Sequence, residues 1–430
     1  MTARLTDSSM YAHLWGTPES RAIFEERSRL QGWLDVLAAL ARAQAAEGVA
    51  PTEAATAITA LAQVDLLDLD LVAEQTRATG HSTLGLVRAL QQVLPPEVHP
   101  HVYVGATVQD VTDTWTSLAL QQVCRLVRSD LLRLQELVLD LAVRHRDTVM
   151  VGRTHGQPGA PISFGWKAAS WADELGRHLD RFAEGEPRWL VGQLGGGVGT
   201  LAAHGRVGLA VRRRFCQELG LAEPVTSWLT ARDRIAEVGQ VLAMVTGTLA
   251  RIGGEVYELQ RPELGELREP AREGVVGSIT MPHKRNPERS EHLDTLARLV
   301  RAQAGVLLEG MTGVHERDGR GWKAEWVALP EVCLLTCTAT ATAVELLEGL
   351  EVDAARMAAN LGAHPRSEAA LTLLTPQLGK HRAQAALQGA LAGKGLDTLL
   401  TAEQVAALPV DTGSAGAMVD LVVAHARAGR

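Results

Sequence analysis

Ile235-Ala236-Glu237-Val238-Gly239-Gln240-Val241-Leu242 opens a run whose apolar residues recur in alternating steps of three and four. Ile235, Val238, Leu242, Val245, Leu249, Ile252, Val256 and Leu259 therefore fall on one face of a helix. A seam kept over more than three heptads marks long helices packed side by side at shallow angles. A second seam runs from Leu120 through Cys124, Val127, Leu131, Leu134, Val138 and Leu141. The same pattern predicts further helices at about 163–185, 289–312 and 322–350, the last bent by Pro330. Together they make a bundle of about five long helices. A helix of thirty residues is about 45 Å long, more than a chain of this size covers on every side. Self-association through helix faces is the expected remedy.

Shorter helices flank the bundle. Residues 1–104 read as an N-terminal helical domain, with helices at about 18–47, 51–64, 68–78 and 82–93. Asp65 and Asp70 punctuate them, and Pro95-Pro96 closes the block. Residues 105–350 hold the central bundle and its loops. Residues 351–430 form a C-terminal helical domain with turns at Gly393-Lys394-Gly395 and Pro409-Val410-Asp411-Thr412-Gly413. Ala and Leu dominate and aromatics are only 4%, which suits helices packed on small residues better than β-sandwiches. The fold class expected is all-α.

The formal net charge of −8 in 430 residues argues against a nucleic-acid partner, which needs a basic face. Met1 to Ser9 has no apolar core of a secretory signal. Strongly apolar stretches look interrupted by polar residues short of bilayer-spanning length, so no membrane partner and a cytoplasmic location are expected. Cys124, Cys216, Cys333 and Cys337 show no CxxC spacing and read as packing residues. His99 and His101 flank Pro100 in what reads as an extended segment, with no acidic or thiol partner close in sequence. No metal is expected. The Gly192–Thr200 segment lacks GxGxxG spacing and no P-loop pattern occurs, so no cofactor is expected either.

Three polar islands break the apolar pattern. The first is Gly105-Ala106-Thr107-Val108-Gln109-Asp110-Val111-Thr112-Asp113-Thr114, just before a long helix. Thr107 followed by Asp110 suggests a capping box with Asp in place of Glu. The remaining hydroxyl and amide groups at a helix N-terminus suit an anion. The second is Gly152-Arg153-Thr154-His155-Gly156-Gln157-Pro158, read as a Gly/Pro loop. There His155, flanked by Arg153, Thr154 and Gln157, looks like a pH-active group in a donor-rich pocket. The third closes a stretch from about Arg261 to Pro287 that reads as lacking regular structure. Lys284 offers it a point charge and Asn286 two donors, a clamp for a carboxylate. Gly277 permits positive φ, and Ser278 is the one small nucleophile or base beside that clamp.

In this order the islands resemble the three signature regions of the fumarase/aspartase superfamily. Gly277-Ser278-Ile279-Thr280-Met281-Pro282-His283-Lys284-Arg285-Asn286-Pro287 fits G-S-x-x-M-x-x-K-x-N at every defined position. The resemblance covers nearly the whole chain. It implies three helical domains per subunit, a homotetramer with a twenty-helix core, and active sites shared between subunits. It implies anti elimination of a C–N or C–O bond β to a carboxylate, usually releasing fumarate. By the same resemblance Ser278 is the base that removes the Cβ proton, and Lys284 and Asn286 hold the carboxylate that takes up the negative charge. His155 corresponds to the histidine that assists the leaving group, and Glu291 to the acid paired with it. Thr107, Gln109, Thr154 and Gln193 correspond to binders of substrate carboxylates.

Within the superfamily the likeness is to the adenylosuccinate lyase and 3-carboxy-cis,cis-muconate cycloisomerase branch. Arg29-Leu30-Gln31 to Gln44 and Thr412-Gly413-Ser414-Ala415-Gly416-Ala417-Met418-Val419-Asp420 resemble the cycloisomerases. His155 departs from them, because they carry a bulky apolar residue there. Adenylosuccinate lyases keep the histidine but have an N-terminal Arg-Tyr element and a His-Asp pair for the nucleotide. Here that pair reads His81-Ser82. Val108 stands where Ser is common. The reading is a lyase that eliminates a nitrogen leaving group from a small N-substituted succinate such as nitrosuccinate, giving fumarate. Carboxymuconate cycloisomerase is the alternative, and adenylosuccinate lyase the third.

Overall fold

A computed structural model describes residues 4–271, 274, 279–281, 283–362, 366–393 and 395–428. The chain is all-α apart from two short antiparallel strand pairs. It divides into two compact units. The first comprises Met1–Asp130, His178–Gly247 and Thr295–Ala341, the second Leu131–Arg177, Thr248–Asp294 and Thr342–Arg430. Boundaries between them fall within the five long helices.

The first five helices belong to the first unit: α1 (Pro18–Phe24), α2 (Glu26–Ala46), α3 (Thr52–Leu61), α4 (Leu69–Thr79) and α5 (Leu84–Val93). Thr17 caps α1, its hydroxyl accepting the Ser20 N–H at 3.2 Å, with Pro18 at the first helical position. Asp68, not Asp65 or Asp70, caps α4 through the Leu71 N–H at 3.1 Å. Leu34, Leu37, Leu40 and Ala41 of α2 are buried among Ile58 of α3, Leu86 and Leu90 of α5, and Phe215. The segment around Pro100, expected extended, is instead a 3-10 helix from Pro96 to His101. Proline's fixed φ admits that helix as readily as an extended chain.

Five long helices follow the expected seams: α6 (Val108–Arg144), α7 (Phe164–Trp189), α9 (Asp233–Gln260), α10 (Glu288–Glu309) and α11 (Gly319–Glu348), with the shorter α8 (Gly208–Glu218) between α7 and α9. All eight residues of the α9 seam are buried. Pro330 lies inside α11, which runs on past it. One expectation is corrected: α9 and α11 are long and apolar enough by composition to cross a bilayer. Each apolar window carries no more than two charged residues, and most of it is buried inside the protein.

In the second unit β1 (Val149–Thr154) pairs with β2 (Gln157–Ser163). Strand β3 (Leu267–Arg268) pairs with β4 (Glu351–Val352), which corrects the reading of 261–287 as wholly irregular. Helices α12 (Ala354–Gly362), α13 (Ser367–Leu378), α14 (Lys380–Gly393), α15 (Ala402–Ala406) and α16 (Ala415–Ala428) complete the chain. Ala370 and Leu374 of α13, Ala383 and Leu387 of α14, and Leu400 form a small core of their own.

Candidate active site

In the first unit the entry to α6 is built around the buried Asp110. Its Oδ2 accepts the N–H groups of Thr107 at 2.8 Å and Gly196 at 2.9 Å. Its Oδ1 accepts Gln193 Nε2 at 3.0 Å and the Gly195 N–H at 2.9 Å. Burial raises the Asp110 carboxyl to about 6, with those four donors pulling the other way. Only half of the expected capping box forms. The Thr107 hydroxyl does not cap the helix but accepts from Arg317 Nη1 at 2.6 Å. Arg317 also stands over the Trp322 ring, 5.7 Å from its centroid. Sequence reading missed Arg317, which lies 210 residues from Thr107. Arg317 and Thr107 leave a cation and a hydroxyl together at a helix N-terminus, an arrangement that suits a carboxylate.

Two glutamines singled out in the sequence serve this framework. Gln193 Nε2 also donates to Ser227 Oγ at 3.0 Å, and its Oε1 accepts the Trp228 N–H at 2.9 Å. Its amide is thus fully used within the protein. Gln109 Nε2 donates to the Leu229 carbonyl at 2.7 Å and to Asp113 Oδ2 at 3.1 Å. Gln109 Oε1 is buried and has no partner among the described residues. Beneath these amides Arg232 is clamped between Asp113 and Glu325, with all three side chains at most 5% exposed. Nη1 donates to Asp113 Oδ2 at 2.6 Å and Nε to Glu325 Oε1 at 2.9 Å. Burial opposes the guanidinium's charge, but the two carboxylates outweigh it and hold the group above its ordinary range. His81 serves locally, its Nδ1 accepting the Leu84 N–H at the start of α5.

In the second unit the supposed loop around His155 is the tip of the β1–β2 hairpin, a correction of the sequence reading. Thr154 pairs with Gln157, so His155 and Gly156 alone make the turn. Both have positive φ, 53° and 73°, the conformation of the two-residue turns that match strand twist. A histidine there is strained, which is characteristic of functional positions. Thr154, His155 and Gln157 are all exposed. Between Val151 and Arg153 the partner strand advances from Pro161 to Pro158, one residue extra, so the hairpin is bulged just below its tip.

Arg153, expected to bind substrate, is engaged inside the protein. Its Nη1 and Nη2 donate to Glu266 Oε2 and Oε1 at 2.9 and 2.7 Å. Glu266 is fully buried and also accepts Asn360 Nδ2 at 2.7 Å. Three residues on, the buried Glu269 accepts the N–H groups of Ser290 at 2.8 Å and Arg289 at 3.2 Å, capping α10. Glu266 and Glu269 thus peg both the hairpin and the start of α10 to the β3 segment. Glu291 is exposed in the first turn of α10, and Lys284 is exposed with its N–H on the Met281 carbonyl at 2.9 Å. Asn286 is half-buried just before α10. Ser278 and Gly277 lie outside the described residues.

The turn makes its own prediction. His155→Asn should leave stability within about 0.5 kcal/mol of the parent, since Asn tolerates positive φ. His155→Val should cost about 1–2 kcal/mol, because a β-branched residue clashes in the left-handed region. Urea unfolding of the two variants compares them, and equal losses would remove the argument from strain.

A family model described as "Lyase" matches residues 15–302. The chain is 39% identical over 361 residues to the N-acetyl-S-(2-succino)cysteine lyase of Dickeya dadantii, spanning 84% of this chain and 79% of that protein. It is 44% identical over 345 residues to the 3-carboxy-cis,cis-muconate cycloisomerase of Pseudomonas aeruginosa, 80% of this chain and 75% of that one. The crystal structure of 3-carboxy-cis,cis-muconate lactonizing enzyme from Pseudomonas putida matches with a TM-score of 0.90 at 36% identity. That match covers 98% of this chain and 100% of the other.

Proposed function

The chain belongs to the fumarase/aspartase superfamily of lyases, and from that premise we propose that it eliminates a nitrogen leaving group from a small N-substituted succinate, releasing fumarate. Ser278 takes the proton from the carbon next to one carboxylate. The electron pair left behind moves into that carboxylate, where Lys284 and Asn286 hold the second negative charge. A C=C bond then forms as the bond to the leaving group breaks on the opposite face. His155, with Glu291 as its acid, supplies or positions the proton the departing group needs. Thr107, Arg317, Thr154 and Gln157 bind the remaining carboxylate and polar groups, while Gln109, Gln193 and Arg153 act from within the framework.

The observation that carries this reading is His155. A titratable ring is held at a strained hairpin tip and exposed, while its neighbour Arg153 is anchored by Glu266. A proton-transferring group needs that combination of access and fixed position. Self-association supplies the rest of the reading: a homotetramer in the cytoplasm with a twenty-helix core and sites completed by neighbouring subunits. Support comes from apolar residues left exposed on the long helices, among them Leu132, Met244, Leu299, Leu308 and Val327.

A second reading, carboxymuconate cycloisomerase, is favoured by the 44% identity with such an enzyme and opposed by His155. Both are decided by one panel: nitrosuccinate, aspartate, adenylosuccinate, argininosuccinate, N-acetyl-S-(2-succino)cysteine and 3-carboxymuconate. Fumarate formation, followed by ultraviolet absorbance, is expected from a nitrogen-substituted succinate. Release only from the sulfur compound would replace the leaving group and keep the chemistry. Lactone from 3-carboxymuconate alone, or silence on every succinate, would overturn the proposal.

A further inference from the structure

Within the first unit α2, α6 and α11 surround a cavity of about 90 Å³, and Thr107, Gln109, Gln193 and Arg317 take no part in its lining. Five aromatic side chains stand in its wall. Phe24 and Trp33 meet the Trp115 ring edge-on, with centroids 6.2 and 6.5 Å away. Trp322 and Trp326 pair across from them at 4.8 Å. Four of the chain's nine tryptophans therefore converge here. Gly32 permits it, since a Cβ there would sit 2.3 Å from the Trp115 ring.

The polar groups in this wall are unbalanced. The Arg29 guanidinium stacks over Trp115, 5.3 Å from the ring centroid, and donates one hydrogen bond, to the Phe24 carbonyl at 3.3 Å. Arg29 Nε, Trp33 Nε1 and Thr112 Oγ1 are buried with no partner among the described residues. Asp113 and Glu325 also line the cavity but are committed to Arg232. The acid that acts on Arg29 is Glu26, on the exposed side of its own helix, and burial lowers the guanidinium from its ordinary range. A half-buried cation with spare donors and an apolar chamber beside it lacks an anion that carries an apolar tail. An acceptor from a ligand would satisfy these orphaned donors.

We infer that this cavity binds a short-chain monocarboxylate, its carboxylate on Arg29 and Trp33 and its tail among the indoles. Size sets the class. A cavity of about 150 Å³ admits benzene, so this one, at about 90 Å³, takes a carboxylate and a few carbons but not a ring system. This site does not depend on the proposed lyase reaction.

The test is calorimetric titration of the full chain with butyrate in excess fumarate, which occupies the proposed catalytic site. Acetate lacks the tail and 1-butanol lacks the charge, so each should bind at least about tenfold more weakly than butyrate. Arg29→Met should weaken butyrate by about tenfold or more and leave 1-butanol unchanged. Ala119→Leu, at a buried wall position, should abolish butyrate binding and leave elimination of the succinate substrate intact. If that variant misfolds, Arg29→Met still decides the matter. No saturable butyrate binding up to about 10 mM would leave only water in the cavity and overturn the inference. So would equal affinity for 1-butanol, or binding that survives in a folded Ala119→Leu.

Discussion

Ser278→Ala is expected to lower kcat by about 10²–10⁴-fold or more while the helical content and the oligomer stay unchanged. In the proposed mechanism the Ser278 hydroxyl is the group that accepts the proton from carbon, so its loss strikes the chemical step directly. KM should move much less, because Lys284 and Asn286 hold the carboxylate in the ground state as well as in the transition state. Lys284→Met gives the contrasting pattern. It removes both binding and charge stabilisation, so kcat/KM should fall more than kcat alone. The segment's far end supports an effect confined to chemistry. Helix α10 is capped by Glu269, which accepts the N–H groups of Ser290 and Arg289. Steady-state rates on the best succinate of the panel, with circular dichroism and sedimentation as controls, decide it. A variant that turns over at near-normal rate would refute Ser278 as the base.

Legibility in the sequence followed the range of the interactions. The α9 seam from Ile235 to Leu259 was readable because helical packing repeats every three or four residues, and all eight side chains are buried. The hairpin at Val149–Ser163 was not. Its turn residues His155-Gly156 lack the usual Asn-Gly signal, and Gly152, Pro158, Gly159 and Pro161 hide the strand alternation. Thr107, His155 and the Ser278 segment could be picked out because polar residues cluster where the apolar period stops. Their supports could not. Glu266 meets Arg153 across 113 residues and Arg317 meets Thr107 across 210, and no local pattern encodes either pairing. Arg153 and Gln193 illustrate the consequence: donors that look free in a sequence are engaged once their distant acceptors are known.

The largest effect on stability is expected from Arg232→Met, which should cost about 3–5 kcal/mol. Among the described residues Arg232 is the cation that pairs with both Asp113 and Glu325, and the three side chains are 3%, 3% and 5% exposed. Removing it leaves two carboxylates out of water with no counter-charge. Asp113 keeps Gln109 Nε2 at 3.1 Å and Trp322 Nε1 at 3.2 Å, which is too little for an anion facing another anion. The Met side chain fills the volume, so a missing charge rather than a cavity is measured. Arg232→Lys keeps the charge but cannot reach both carboxylates with one ammonium, and should fall between parent and Met. The deficit should depend on pH with a definite sign. Burial raises the Glu325 carboxyl above its ordinary range while Arg232 pulls it back, so in the variant the raising causes stand unopposed by any cation. Protonation therefore favours the folded state, and the penalty grows as pH rises through the raised values. Urea midpoints at fixed protein concentration, taken at pH 5 and at pH 8, should show the larger loss at pH 8. A loss below about 1 kcal/mol at both pH values would mean that the triad is solvated, and that Gln109 and the entry to α6 are held by something other than this buried charge.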